Sequence, residues 1–269
     1  MQGMARDEIF KIKPYVPGKP VEEVERELGI KNVIKLASNE NPLGPAPKAV
    51  EAIKAAAAGV NFYPDGNSYY LKSALATKLN FSQEEIVIGN GSDEILKLIA
   101  EAFLKPGEEI VMGSPSFSEY DFAAKVMGGE TIQVPLKSFT HDLKSIAAAI
   151  TNKTKIVFVC NPNNPTGTMV TQAEVNEFMA QVPDTVLVVF DEAYYEYVVN
   201  ESYPDTLNLV KEGRNVIVLR TFSKIYGLAG LRIGYGIAKK EIVAAINRVR
   251  EPFNVNLVAQ KAALAALED

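Results

Sequence analysis

Val216-Ile217-Val218-Leu219-Arg220-Thr221-Phe222-Ser223-Lys224-Ile225-Tyr226-Gly227-Leu228-Ala229-Gly230-Leu231-Arg232 begins apolar and turns polar at its end. The apolar part reads as a strand covered on both faces, which belongs inside a sheet flanked by helices. Beyond it come an amine at Lys224, hydroxyls at Thr221 and Ser223, and a guanidinium at Arg232. These groups suit an aldehyde cofactor that carries a phosphate. The amine forms a Schiff base, while the hydroxyls and the guanidinium hold the phosphate. That points to pyridoxal phosphate (PLP).

Working outward, six further β-rich runs cover 86–88, 109–112, 131–134, 155–160, 185–190 and 232–237. Amphipathic segments alternate with them near 92–104, 116–128, 141–150, 171–182 and 239–249. The alternation predicts an α/β fold: a mainly parallel seven-stranded sheet sandwiched by helices. Ligands of such sheets bind beyond the carboxyl ends of the strands. Residues 21–28 read as a short helix, and Ser38 to Pro47, with three prolines and a glycine, reads as an irregular linker. Residues 256–269 read as an apolar-periodic helix.

Most of the polar motifs fall just after one of these strands. Asp191, in Phe190-Asp191-Glu192-Ala193-Tyr194, can pair with a protonated pyridine nitrogen, or can simply cap a helix. Tyr194 can turn its hydroxyl to the cofactor's phenolic oxygen or pack as a core tyrosine. In Asn161-Pro162-Asn163-Asn164-Pro165-Thr166-Gly167, a rigid turn fixes the Asn164 amide as a donor for the same oxygen, or is an ordinary Asn-Pro turn. Gly89-Asn90-Gly91-Ser92-Asp93-Glu94 opens a helix where backbone N–H groups face an anion, with Ser92 and Asp93 as cap or phosphate ligands. It is neither a Rossmann fingerprint nor a Walker loop. Phe117, in Pro115-Ser116-Phe117-Ser118-Glu119-Tyr120, is a stacking platform for a ring or a core aromatic at a helix start. Tyr63, in Phe62-Tyr63-Pro64-Asp65-Gly66, is a turn tyrosine, either a plain loop aromatic or one whose hydroxyl reaches a phosphate.

Composition removes other chemistries. One cysteine and one histidine among 269 residues exclude a Cys/His zinc cluster and an internal disulfide framework, and no metal site is expected. His141, in Phe139-Thr140-His141-Asp142-Leu143, reads as a solvated residue at a helix start. A net charge of -5 argues against a nucleic-acid binder. The first residues lack the apolar core of a signal peptide and no run approaches a membrane span, so a soluble cytoplasmic protein is expected.

Taken together, Ser38-Asn39-Glu40-Asn41-Pro42-Leu43-Gly44-Pro45, Tyr63 to Gly66, Asn161 to Gly167, Asp191 to Tyr194 and Thr221 to Tyr235 resemble the class I/II aminotransferases of PLP fold type I. Within them, the chain is most similar to the branch acting on histidinol phosphate. The resemblance runs from about residue 10 onward. It implies transamination between histidinol phosphate and 2-oxoglutarate, with Lys224 as the Schiff-base lysine and Asp191 as the pyridinium partner. It places Asn164 and Tyr194 on the phenolic oxygen and Phe117 on the ring face. Ser92, Asp93, Thr221, Ser223 and Arg232 would surround the phosphate, and Tyr63 would reach the phosphate of a second subunit in a homodimer. Tyr15 and Asn39 would lie near the substrate. The implied organisation is an N-terminal arm with part of a small domain over 1–45 and a large PLP-binding domain over 46–269. Family members usually continue into the rest of a small domain, which appears absent here. Other PLP enzymes of this scaffold, such as aromatic aminotransferases and threonine-phosphate decarboxylases, share parts of these motifs, and a non-catalytic PLP-binding fragment is a third reading.

Overall fold

A computed structural model describes residues 3–14 and 18–269. Seven strands are present: β1 (Ile86–Gly89), β2 (Glu109–Ser114), β3 (Glu130–Pro135), β4 (Thr154–Cys160), β5 (Leu187–Asp191), β6 (Val216–Thr221) and β7 (Gly234–Ala238). They form one sheet in the order β1-β7-β6-β5-β4-β2-β3. Every pairing is parallel except those of β7, which runs antiparallel to both β1 and β6. The carboxyl ends of β1, β2, β4, β5 and β6 therefore share one edge with the start of β7.

Successive side chains leave the sheet on opposite faces, and both faces are buried. Val157, Val159, Val188, Phe190 and Val218 join one apolar layer, while Ile156, Phe158, Val189, Ile217 and Leu219 join the other. Each such burial contributes roughly 1.5–3 kcal/mol, which is why these strands lack alternating polar positions. The helix Leu257–Ala266 lays Ala259, Ala262, Ala263 and Ala266 against the helix Pro47–Ala56. Their small side chains let the two backbones approach closely.

The expected strands and helices are all found, with shifted ends. Pro183 to Val186 form a turn, Val186 N donating to the Pro183 carbonyl at 3.0 Å, so β5 begins at Leu187. Arg232 adopts a left-handed φ of 55° after a short 3-10 turn, so β7 begins at Gly234. Two helices, Tyr69–Leu79 and Thr206–Lys211, carry no clear sequence period and appear only in the structure. The helix Val21–Leu28 forms but buries no residue.

The solvated reading of His141 is overturned. Asp142 does cap the helix Leu143–Ala148, accepting from Ser145 N at 3.1 Å. The preceding imidazole, however, turns inward and is only 4% exposed. Gly113 of β2 has no side chain, and His141 Nδ1 fills the space that a Cβ there would take. Burial holds its pKa below the ordinary histidine value.

Candidate active site

Lys224 sits in the loop after β6, half-buried, its Nζ donating to the Ser38 carbonyl at 3.2 Å. Burial lowers its pKa, and the nearby Arg232 charge adds to the effect, while Asp93, Asp191 and Glu40 oppose it. The Ser38-to-Pro47 segment is irregular up to Ala46, as expected, and it lies across the lysine loop. Asn41 Nδ2 donates to the Ile225 carbonyl at 2.9 Å, and Ala46 N donates to the Tyr226 carbonyl at 3.3 Å. Gly227, at φ +67°, lies so close to this strap that a Cβ would strike the Gly44 carbonyl.

Asp191 ends β5 and is 3% exposed. It caps no helix; its Oδ1 accepts from Ala193 N at 3.2 Å, and its Oδ2 accepts from the Tyr120 hydroxyl at 2.7 Å. Burial raises its pKa to about 6, against the pull of the Tyr120 hydrogen bond. The next residue, Glu192, forms a buried pair with Arg220, whose Nε and Nη2 lie 2.9 and 2.8 Å from Oε2. Arg220 also lies 3.5 Å above the Tyr195 ring. This pair ties the carboxyl ends of β5 and β6 together, and with them Asp191 and Thr221.

Thr221, Ser223 and Ser92 are buried polar residues around Arg232. Arg232 Nη1 reaches Ser223 Oγ at 3.4 Å, and Nη2 reaches Asp93 Oδ2 at 3.0 Å. Ser223 N donates to Thr221 Oγ1 at 3.1 Å. Gly91 precedes the helix Ser92–Phe103 with φ +81°. The first-turn N–H groups of that helix lack intrahelical acceptors, a natural seat for an anion. Two glycines let these groups draw together: a Cβ on Gly91 would strike the Arg232 guanidinium, and one on Gly234 would come within 2.6 Å of Ser92 N.

Tyr194 follows Asp191, and its hydroxyl accepts from Asn39 Nδ2 at 2.7 Å. Lys224 Nζ stands 5.7 Å from the Tyr194 ring centroid. Asn39, Asn164 and Tyr194 line one mainly apolar cavity of about 370 Å³, together with Met169 and Val198. The Asn161–Gly167 turn is held from within: Asn163 donates to the Pro115 carbonyl at 3.2 Å and to Thr166 Oγ1 at 2.8 Å, and accepts from Ser116 Oγ at 2.8 Å.

Phe117 is half-buried beyond β2 and meets Tyr120 edge to face, centroids 5.6 Å apart. Tyr63 stands apart: it is 82% exposed and stacks on Phe253 at 4.8 Å. Tyr15 lies outside the described residues. Sequence reasoning assigned no role to Tyr120, Glu192 or Arg220. Only the run Phe117-Ser118-Glu119-Tyr120, an aromatic pair three apart at a helix start, hinted at the first of them.

The family model for aminotransferase class I and II matches residues 31–269. A histidinol-phosphate aminotransferase of Moorella thermoacetica is 65% identical over 98% of this chain and 69% of its own length. Its counterpart in Caldicellulosiruptor saccharolyticus is 53% identical over 99% of this chain and 74% of its own. Among solved structures, the histidinol-phosphate aminotransferase of Sinorhizobium meliloti, in complex with pyridoxal-5'-phosphate, superposes with a TM-score of 0.91. It is 33% identical, covering 99% of this chain and 72% of that one. With its sheet, its lysine loop and these relatives in agreement, the chain belongs to the class I and II aminotransferase family.

Proposed function

We propose that the chain is a PLP-dependent aminotransferase that exchanges an amino group between histidinol phosphate and 2-oxoglutarate, a step of histidine biosynthesis. One observation carries the reading. A half-buried lysine, a buried carboxylate and a cluster of Arg232, Ser223, Thr221 and a helix N-terminus meet at a single sheet edge. The named relatives supply the substrate.

The residues fit PLP. Ser92, Thr221, Ser223, Arg232 and the helix amides beside Asp93 would hold its phosphate, and Gly91 and Gly234 let Arg232 and the Ser92 amide come close together around it. Asp191 would face the ring nitrogen, Phe117 would cover the ring, and Asn164 and Tyr194 would meet the phenolic oxygen. When bound, PLP supplies an aldehyde that condenses with amines and a ring that withdraws electrons from a deprotonated carbon.

The protein's own groups do the rest. Lys224 Nζ, made more readily neutral by burial and by Arg232, takes the proton from the α-carbon of the amine substrate. Asp191, its carboxylate held by Tyr120 and Ala193, keeps a proton on the atom opposite it. Asn39 restrains the Tyr194 hydroxyl where both residues line the apolar cavity. Tyr15 and Asn39 are proposed to lie near the substrate.

The chain would work as a homodimer in which Tyr63 reaches the cofactor phosphate of the partner. The exposed aromatic patch of Phe62, Tyr63, Tyr69, Tyr70 and Phe253 supports that assembly. Residues 1–45 would form an arm and part of a small domain, and 46–269 the large domain. The core begins to recruit side chains at Ala46 and Ala49, which supports the division. No helix among the described residues is long and apolar enough to cross a membrane. The chemistry and the buried free thiol of Cys160 support a cytoplasmic setting.

Borohydride reduction of protein supplied with PLP, followed by peptide mapping, tests the assignment. The label is expected on Lys224, and unreduced protein should convert 2-oxoglutarate to glutamate faster with histidinol phosphate as amino donor than with threonine phosphate or phenylalanine. Lys224→Ala should abolish turnover; wild-type turnover in that variant ends the assignment.

A further inference from the structure

We propose that Tyr120 is a positioning residue which keeps Asp191 ionised and aimed, so that Asp191 can hold a proton on the ring nitrogen of the cofactor. The inference rests on the PLP reading above and deepens it. Tyr120 is fully buried in the helix Glu119–Val126, and its hydroxyl lies 2.7 Å from Asp191 Oδ2, although 71 positions separate the two.

The tyrosine is clamped. Its ring stacks on Phe158 with centroids 4.6 Å apart and planes 6° off parallel, and the Phe117 edge closes the other side at 5.6 Å. The neutral Cys160 thiol also lies within reach of this phenol, and the Asp191 carboxylate at 2.7 Å is its charged partner. Burial pushes its pKa well above the ordinary tyrosine value, and Asp191 reinforces the shift. The hydroxyl therefore stays protonated and acts as a donor toward Oδ2. A donor aimed at a carboxylate favours its ionised form.

Other groups around Asp191 do not substitute for it. Cys160 lies on β4, Asp93 on the helix Ser92–Phe103, Glu192 beside it on the chain, and Lys224 and Tyr194 across the site. The two carboxylates work against ionisation of Asp191. Cys160 shares the burial, its thiol pushed up to about 12, and remains neutral. Among the described residues, the Tyr120 hydroxyl and Ala193 N are the donors to this carboxylate, and the amide contact is the longer at 3.2 Å. If the ring served packing alone, phenylalanine would fill the place without burying a hydroxyl that needs a partner.

Tyr120→Phe removes only that hydroxyl. In the cofactor-free chain, the titration of the Asp191 carboxyl, followed by 13C NMR, should move upward. In the PLP-loaded protein, the visible absorbance of the bound cofactor should titrate about one pH unit higher. Loss of the ring-nitrogen proton raises the proton affinity of the nitrogen joined to Lys224, which sets that direction. PLP affinity and kcat should each fall roughly tenfold, the scale of one hydrogen bond to a charged group, with KM for the amine little changed. In an Asp191→Asn background, Tyr120→Phe should add nothing.

An unmoved Asp191 titration, or losses that add in the double variant, would overturn the proposal. Tyr120→His, which restores a ring donor, should recover part of the titration shift and serves equally if the phenylalanine variant does not fold. Failure of the wild-type protein to hold PLP on Lys224 would sink the underlying reading instead, so the two failures are distinguishable.

Discussion

Lys224 Nζ donates to the main-chain oxygen of Ser38 at 3.2 Å, across 186 positions of sequence. The Ser38 segment thus holds the Lys224 side chain directly, and Asn39, the next residue, holds Tyr194 at 2.7 Å. Both Ser38 and Asn39 have left-handed backbones, φ 69° and 49°, a conformation that costs about 1 kcal/mol or more and needs surrounding contacts to persist. The Asn39 hydrogen bond is one of these contacts. Asn39→Ala should speed amide exchange over 36–41 and lower kcat/KM roughly tenfold, about one hydrogen bond's worth. Exchange mass spectrometry with steady-state kinetics checks both.

The lowered pKa of Lys224 makes its amine more reactive than that of an exposed lysine at the same pH. Acylation of the cofactor-free chain near pH 8 should label Lys224 ahead of surface lysines. Arg232 contributes to that shift, so Arg232→Gln should raise the Lys224 pKa and slow its labelling. Faster labelling in the variant would contradict the electrostatic account.

Asp191 titrates near 6 in the folded chain, above the ordinary carboxyl value, because it is buried. A raised folded pKa means the native state binds the proton more tightly than the unfolded state. The associated stability is present in full below about pH 4 and is lost as pH climbs through about 6. Cofactor-free Asp191→Asn should escape that loss. Its stability relative to wild type should rise by on the order of 2–3 kcal/mol between pH 4 and pH 7.5, measured by urea unfolding.

Gly227 and Gly213 both have positive φ, at +67° and +76°, but only Gly227 has a neighbour where a Cβ would go. Gly213→Ala should cost about 1–2 kcal/mol, the left-handed penalty alone. Gly227→Ala should cost more and should also part the strap from the lysine loop, visible as weakened PLP binding. Equal costs without a binding defect would show that the close approach to Gly44 is immaterial.

The legible part of this molecule is the part built from short-range rules. Apolar runs such as Val216–Leu219 announced buried strands, and glycines and prolines announced the turns beside them. Candidate site residues that end a strand, Asp191 and Thr221, were visible because sheets of this kind place chemistry at that edge. The helix Tyr69–Leu79 escaped notice because it buries chiefly Leu71 and Leu75 and shows no clean period. His141 was misread because its burial depends on a missing side chain at Gly113, 28 positions earlier on another element.

By itself the sequence determined a mainly parallel seven-stranded sheet, its helical cover and the order in which Lys224, Asp191, Thr221 and Ser92 follow their strands. These depend on local hydrophobic period and turn chemistry, which each segment carries within it. Tertiary structure alone decided that Tyr120 reaches Asp191, that Arg220 pairs with Glu192, and that Ser38 crosses Lys224. Hydrogen bonds of about 3 Å between distant segments depend on how packed layers bring them together, and no local pattern encodes that distance.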